Sequence, residues 1–379
     1  MRIGIFTLPL HVNYGGILQA YALQTVLERM GHEVKVINRY PSDIFTFSLP
    51  YWKIPLTYLK RIVKKIFFDH ETVINKEFRL RREFPLTIQN TMAFCDKYIH
   101  SYYIESEKDI KEEDFDAIVV GSDQIWRPTY YCANYSDNYQ NAFLAFAKNW
   151  DIKRYAYAAS FGVDEWEGST KDSQECANLA KKFDAISVRE DSGVNICKNC
   201  MGVEAVCMLD PTMILQKDDY ISLVNAAKIG KSDGDMFCYI LDNNSIKSHL
   251  IQRISNERNL SPFYVMGKTF EECHDIEQRI IPPVEKWLRA FMDAKLIVTD
   301  SFHGMAFSII FGKPFVAIGN RDRGLARMES LLRLFELEDH LICEEKDYDA
   351  QKFYSQKSET NMLIDKWRKK SISFLSQIN

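Results

Sequence analysis

Apolar and polar positions along the chain follow a repeating rhythm. Ile3 to Leu8 is a short β-favouring run, and a polar turn holding Gly15 and Gly16 follows it. Apolar residues then recur at helical spacing through Leu18, Ala22, Val26 and Leu27 until Gly31, which predicts strand, loop and helix. Val34-Lys35-Val36-Ile37 supplies a second strand at once, so the first 37 residues read as a right-handed βαβ unit with a parallel strand pair.

Between about 41 and 113 the rhythm lapses. Basic and aromatic residues concentrate there, and no clear strand is predicted. Ala117 to Val120, Tyr155 to Ser160, Ala185 to Val188 and Val206 to Met208 then read as short buried strands separated by helix-length segments. Asp210-Pro211-Thr212 marks a crossover, because proline disfavours helix at the residue before it. A second series follows with Met236 to Leu241, Phe263 to Met266, Leu296 to Val298, Phe315 to Ile318 and Leu341 to Cys343, and with helices at Pro283 to Phe291 and Phe302 to Phe311. The pattern predicts two α/β domains facing a cleft, 1–212 and 213–360, with a basic and aromatic insertion at about 41–113 and a C-terminal helix over 361–379. No repeat of 20–50 residues or low-complexity tract interrupts it.

Composition narrows this picture. With 379 residues, 46% apolar and 26% charged, the chain is neither disordered nor fibrous. Its formal charge of −4, from 48 basic and 52 acidic residues, gives no global attraction to nucleic acid, so an anion site must be local. Glycine is scarce, 16 residues in all, against a usual share of ~7%. Gly15, Gly16, Gly121, Gly162, Gly267 and Gly319 nonetheless fall at or just beyond strand ends, where open α/β sheets bind ligands, and as a set they favour a cleft. Nine scattered cysteines without a framework predict reduced thiols in a cytosolic protein. The opening residues lack a signal-peptide h-region, and no apolar run approaches the ~18–20 residues of a membrane span.

Several strings carry candidate chemistry. His11-Val12-Asn13-Tyr14-Gly15-Gly16 precedes a helix and resembles a backbone cradle for phosphate or carboxylate, without the spacing of a dinucleotide or P-loop motif. Asn13 offers a side-chain donor or simply forms the turn. Asp123, in Gly121-Ser122-Asp123-Gln124-Ile125-Trp126, follows a strand and is a candidate base, hydroxyl anchor or helix cap. Arg189 is similarly placed and either forks onto an anion or pairs with a neighbouring acid such as Glu190 or Asp191. Thr299-Asp300-Ser301-Phe302-His303-Gly304 follows another strand and opens an apolar helix; the helix dipole there favours a neutral imidazole at His303, poised for proton exchange. Arg321, Arg323 and Arg327 gather after the next strand as a local anion site. Cys197 and Cys200 form a single C-x-x-C without further ligands, so no metal is expected. Tyr58 to Phe68 sets Leu59, Ile62, Val63, Ile66 and Phe67 against Lys60, Arg61, Lys64 and Lys65 at helical spacing. Such a helix is expected to pack its apolar face on its own domain, an anionic membrane surface being the other reading.

Taken in order, Asn13 to Gly16, Gly121 to Trp126, Ser187 to Asp191, Asp210 to Thr212, Ser301 to Gly304 and Arg327 to Leu332 resemble the polysaccharide pyruvyl transferase family over roughly residues 1–335. The resemblance implies a glycosyltransferase-B-like pair of Rossmann-like domains. It also implies transfer of pyruvate from phosphoenolpyruvate to two hydroxyls of a sugar as a cyclic ketal, with release of phosphate, in surface or extracellular glycan synthesis. Phosphoenolpyruvate is then a donor substrate, no separate cofactor is needed, and the acceptor is a glycan or lipid-linked sugar. Family members use an arginine after a first-domain strand, a histidine after a second-domain strand and a later basic residue, which match Arg189, His303 and Arg327. Some also carry an arginine just before the histidine, where this chain has Ser301-Phe302; Arg321 or Arg323 is the expected substitute. The implied setting is cytoplasmic, with peripheral contact at the inner membrane face through 58–68. Rival readings of the same architecture are a glycosyltransferase using a nucleotide sugar, and a non-catalytic glycan-binding or assembly protein.

Overall fold

The computed structural model describes residues 1–39, 54–68, 70, 73–135, 138–320, 324–352, 354–356 and 358–378. The first half of the chain runs β1 (Arg2–Phe6), α1 (Tyr14–Arg29), β2 (Glu33–Arg39), α2 (Ile54–Phe67), α3 (Lys76–Thr87), α4 (Gln89–Tyr98) and β3 (Ser101–Ile104). It continues through β4 (Ala117–Val120), α5 (Pro128–Asn134), β5 (Lys153–Ala159), α6 (Thr170–Ala180), β6 (Ala185–Val188), α7 (Asp191–Ile196) and β7 (Val206–Cys207). The second half comprises α8 (Lys217–Ala226), β8 (Met236–Tyr239), α9 (Ser245–Arg258), β9 (Pro262–Phe263), α10 (Val284–Asp293), β10 (Leu296–Thr299) and α11 (Phe302–Ile310). It closes with β11 (Phe315–Ile318), α12 (Leu325–Leu334), β12 (Leu341–Ile342) and α13 (Ser358–Leu375).

Among the described residues every strand pairing is parallel. The seven-stranded sheet has the order β3-β2-β1-β4-β5-β6-β7, the Rossmann order with one strand added. The five-stranded sheet, β9-β8-β10-β11-β12 read from its far edge, has the flavodoxin-like order. Ile5 stands between Val36 of β2 and Val119 of β4, so β1 and β4 flank the point where the first sheet reverses direction. Its counterpart lies between β8 and β10, where Val298 pairs with Cys238. Those strands are short and wholly buried in β4, β8 and β10, because helices cover both faces of a parallel sheet. Two such sheets with their carboxyl ends on a shared cleft make the glycosyltransferase-B-like α/β arrangement.

A single cluster of buried apolar side chains runs through α1 and β1 in the first half and α10 and α11 in the second. Tyr14 stacks on Trp287 at 5.4 Å and donates its hydroxyl to the carbonyl of Pro282 at 2.8 Å. Trp287 in turn packs on Phe291 and Phe307, at 4.6 and 4.9 Å between ring centroids. Full burial of each such ring contributes about 1.5–3 kcal/mol, so the two sheets are welded by core rather than joined by a loop. The C-terminal helix begins at Ser358, earlier than Asn361, and returns to the first half. There Phe374 meets Tyr157 at 5.9 Å, while Arg368 donates to the carbonyls of Met213 and Leu215 in the segment that joins the two halves.

Two expectations about the 41–113 stretch are corrected. Ser101–Ile104 is a strand, pairing parallel with β2 at the sheet edge. Only Ile104 of its four residues is fully buried, so the stretch lacks the continuous apolar run that marks an interior strand. The apolar face of α2 does not pack on its own domain: Leu59, Ile62, Val63, Ile66 and Phe67 are all exposed. The polar side holds the helix instead, through Arg61, which is bidentate to Glu77 of α3 at 2.5 Å.

Candidate active site

The carboxyl ends of β1, β4, β8 and β10 open onto a cleft of about 400 Å³. Its wall includes Asn13, Gly16, Asp123, Ser301, His303 and Arg327, which come from four separate stretches of sequence brought together by the two reversal points.

Two helix N-termini meet there. Asn13 caps α1, its Oδ1 accepting from Gly15 N at 3.0 Å, and Ser301 caps α11, its Oγ accepting from Gly304 N at 3.4 Å. His303 lies directly over Gly15, so close that a Cβ on that residue would stand 2.0 Å from Nδ1. Gly15 thus supplies space for the imidazole, and its own N–H is already taken by Asn13. Both helices direct unsatisfied N–H groups and the positive end of their dipoles at the same space, which suits an anion.

Beneath the cleft lies a buried charge network. Arg189 Nη1 donates to Asp210 Oδ2 at 2.7 Å, and Nη2 to Asp123 Oδ1 at 3.3 Å. Asp210 also accepts from Thr212 Oγ1 at 2.7 Å and from Ser122 Oγ at 3.3 Å, and its Oδ2 lies 3.5 Å from His303 Nε2. Burial opposes ionisation of Asp210, but the hydrogen bond and charge of His303, then Arg189, hold the carboxyl well below the usual range. Asp123 is likewise lowered against its burial, chiefly by Arg189, then His303 and Arg327. Its backbone sits at φ 61°, a left-handed conformation that aspartate tolerates better than most residues. Next to it, Glu190 accepts from Phe161 N at 2.7 Å and Ser160 Oγ at 3.1 Å, and burial pushes its carboxyl up.

Arg327 reaches this network from α12, with Nη1 3.9 Å from Asp123 Oδ1. Burial, then the like charge of Arg189, lowers its guanidinium to about 10, so it stays cationic at neutral pH. α12 can come this close because Gly324 precedes it at φ 90°, where a Cβ would lie 2.2 Å from the carbonyl of Gly162. The Phe302 ring lies beneath both guanidinium groups, 4.4 Å from Arg189 and 5.6 Å from Arg327. It is a shared cation–π surface.

Arg189 is therefore engaged with two carboxylates of the chain, neither of them its sequence neighbours Glu190 and Asp191. Arg321 and Arg323 lie outside the described residues. Sequence reasoning missed Asp210 as a site residue, because Asp-Pro-Thr reads as a crossover; Asp210 does cap that turn, accepting from Thr212 N at 3.0 Å. Phe302 was seen only as the residue standing where relatives carry arginine. Asp300 was also passed over; it accepts from Leu241 N at 2.7 Å and Lys247 Nζ at 2.6 Å, tying the end of β10 to that of β8. An aspartate directly after a buried strand was the available signal for Asp300; Asp210 stands three residues beyond β7, neither of whose residues is buried, and carries no such signal.

A family model described as polysaccharide pyruvyl transferase matches residues 13–323. No curated protein matches the chain. Among solved structures, the chain is similar to Arabidopsis thaliana UGT89C1 complexed with UDP-L-rhamnose, at 9% identity over 99% of this chain and 95% of that one, with a TM-score of 0.48. It is similar to UDP-GlcNAc 2-epimerase from Neisseria meningitidis at 11% identity over 100% and 98%, TM-score 0.47. A third is Acinetobacter baumannii MurG, at 12% identity over 100% and 99%, TM-score 0.40.

Proposed function

The chain belongs to the polysaccharide pyruvyl transferase family, and from that premise we propose that it moves pyruvate from phosphoenolpyruvate onto two hydroxyls of a glycan or lipid-linked sugar, forming a cyclic ketal in surface-polysaccharide synthesis. The observation that carries the proposal is the meeting of His303, Arg327 and two helix N-termini in one cleft. Phosphoenolpyruvate bears a phosphate and a carboxylate, and this space offers a cation and oriented N–H groups to both. Asn13, Gly16, Ser301 and Arg327 line the donor space, while Gly15 and Arg189 act from behind it.

His303 delivers a proton to the methylene carbon of the donor, which leaves C2 electrophilic. One acceptor hydroxyl adds to C2 and gives up its proton. A second hydroxyl displaces phosphate at C2 and closes the ketal, its proton leaving with the phosphate. The proton given to the methylene carbon is matched by that of the first hydroxyl, so the imidazole returns to its starting state within one turnover. Asp210, 3.5 Å from Nε2, steadies the charged ring. Asp123 stays ionised because its carboxyl is lowered, which makes it a weak base but a good acceptor for orienting a sugar hydroxyl.

Incubating candidate glycans with phosphoenolpyruvate and the protein should yield inorganic phosphate and a pyruvate ketal detectable by mass spectrometry. The variant His303→Gln should keep the thermal shift given by phosphoenolpyruvate yet lose turnover about 10²–10⁴-fold. Full turnover by that variant rules out the proton-transfer role. Nucleotide release from a sugar nucleotide, without phosphate from phosphoenolpyruvate, overturns the assignment altogether.

A further inference from the structure

Helix α2 is built inside out for a helix of a soluble domain. By its 100° spacing per residue, Leu56, Leu59, Ile62, Val63, Ile66 and Phe67 share one side, and Thr57, Tyr58 and Arg61 the other. It is the second side that touches the protein. Arg61 forks onto Glu77 and donates to the carbonyl of Ile74 at 3.1 Å, and Thr57, Tyr58 and Arg61 are the half-buried residues. The apolar side faces out: Leu59 is 58% exposed, Ile66 57%, Phe67 71% and the adjoining Phe68 81%. A contiguous exposed apolar patch of this kind marks an interaction surface.

We propose that this face seats on an anionic lipid bilayer. Charge selects that occupant. The stretch Ile54–Phe67 contains Lys60, Arg61, Lys64 and Lys65 and no acidic residue. On the helical projection Lys60 and Lys64 border one edge of the apolar stripe and Lys65 the other. Lysine stems then run along the apolar surface while their ammonium groups reach headgroup phosphates, the arrangement of a helix lying in a membrane interface. A second copy of the chain packed on the same face would bring two sets of cations together and bury them. Among the described residues no helix is long and apolar enough to cross a membrane, so the contact is peripheral.

The placement of α2 links this surface to the cleft. Glu77, its anchor, lies two turns, about 10 Å, along α3 from Glu83 and Phe84. Glu83 pairs with Arg279 of the second half at 2.5 Å, and Phe84 packs on His11 of the cleft wall at 5.9 Å. Seated on a bilayer, the protein holds its cleft near the lipid surface, within reach of a lipid-linked sugar; that last clause alone rests on the function proposed above.

The test needs neither donor nor acceptor, so its outcome is independent of the reaction. The full chain is sedimented with vesicles of mixed phosphatidylglycerol and phosphatidylcholine, and with phosphatidylcholine alone. Binding to the mixed vesicles is expected, weakened about 30-fold by Lys60→Gln with Lys65→Gln and abolished by Leu59→Ser, Ile62→Ser and Ile66→Ser together. These side chains are exposed, so the melting transition should be unchanged; if the apolar variant unfolds, the lysine pair, which alters charge alone, carries the test. No sedimentation with the mixed vesicles overturns the proposal. So does a dimer in solution that the serine variant dissociates, which would assign the face to a second copy.

Discussion

Gly15 and His303 lie 288 positions apart in the sequence and in contact in the cleft, and that contact leaves no room for a methyl group. A Gly15→Ala substitution must displace the imidazole, because the nearest atom to the new Cβ belongs to a ring already held by the Asp210 carboxylate behind it. A misplacement of about 1 Å at a reacting group costs on the order of 100-fold. Ketal formation by Gly15→Ala should fall by about that factor while the thermal shift with phosphoenolpyruvate persists; unchanged turnover would remove His303 from the chemistry or show that the ring tolerates the shift. In the sequence Gly15 reads either as part of a backbone cradle for an anion or as ordinary turn chemistry between strand and helix. Its neighbour across the cleft could not be seen, since nothing in local spacing records an approach between the two halves.

At the level of elements, the strands that line the cleft were legible because they are buried on both faces and read as continuous apolar runs. β3 was not, being at an edge, and neither was the direction of α2. Periodicity places the apolar residues of α2 on one side, and the choice between inward and outward is made by what lies beside it, here the Arg61–Glu77 pair. The C-terminal helix was expected, but not its partner. Leu375 is fully buried at its end, and the residue after next, Gln377, accepts a hydrogen bond from Tyr155 of β5 at 3.2 Å. Leu375→Ala should therefore cost the protein about 2–5 kcal/mol in urea denaturation. A loss under about 0.5 kcal/mol, typical of surface positions, would mean that α13 does not hold the first half.

Across the whole molecule, the two sheets share one apolar core, and α13 crosses back over it. Large hydrophobic contact between halves couples their unfolding, whereas a loop connection would leave them independent. Scanning calorimetry should show one transition, and Tyr14→Ala, which removes the Trp287 stack and the bond to Pro282, should move it to lower temperature without splitting it. Two transitions in the unaltered protein would contradict the shared core. The strand and helix rhythm, the glycine-marked strand ends and the strings that resemble the family are properties of neighbouring residues, because the spacings of two and of three to four reflect local backbone geometry; these the sequence determined by itself. Only the tertiary structure decided that Arg189 turns to Asp210 and Asp123, that Phe302 underlies two guanidinium groups, that His303 rests on Gly15 and that α2 faces outward. Each depends on which strands pair and which surfaces are buried, and long-range burial leaves no periodic trace along the chain.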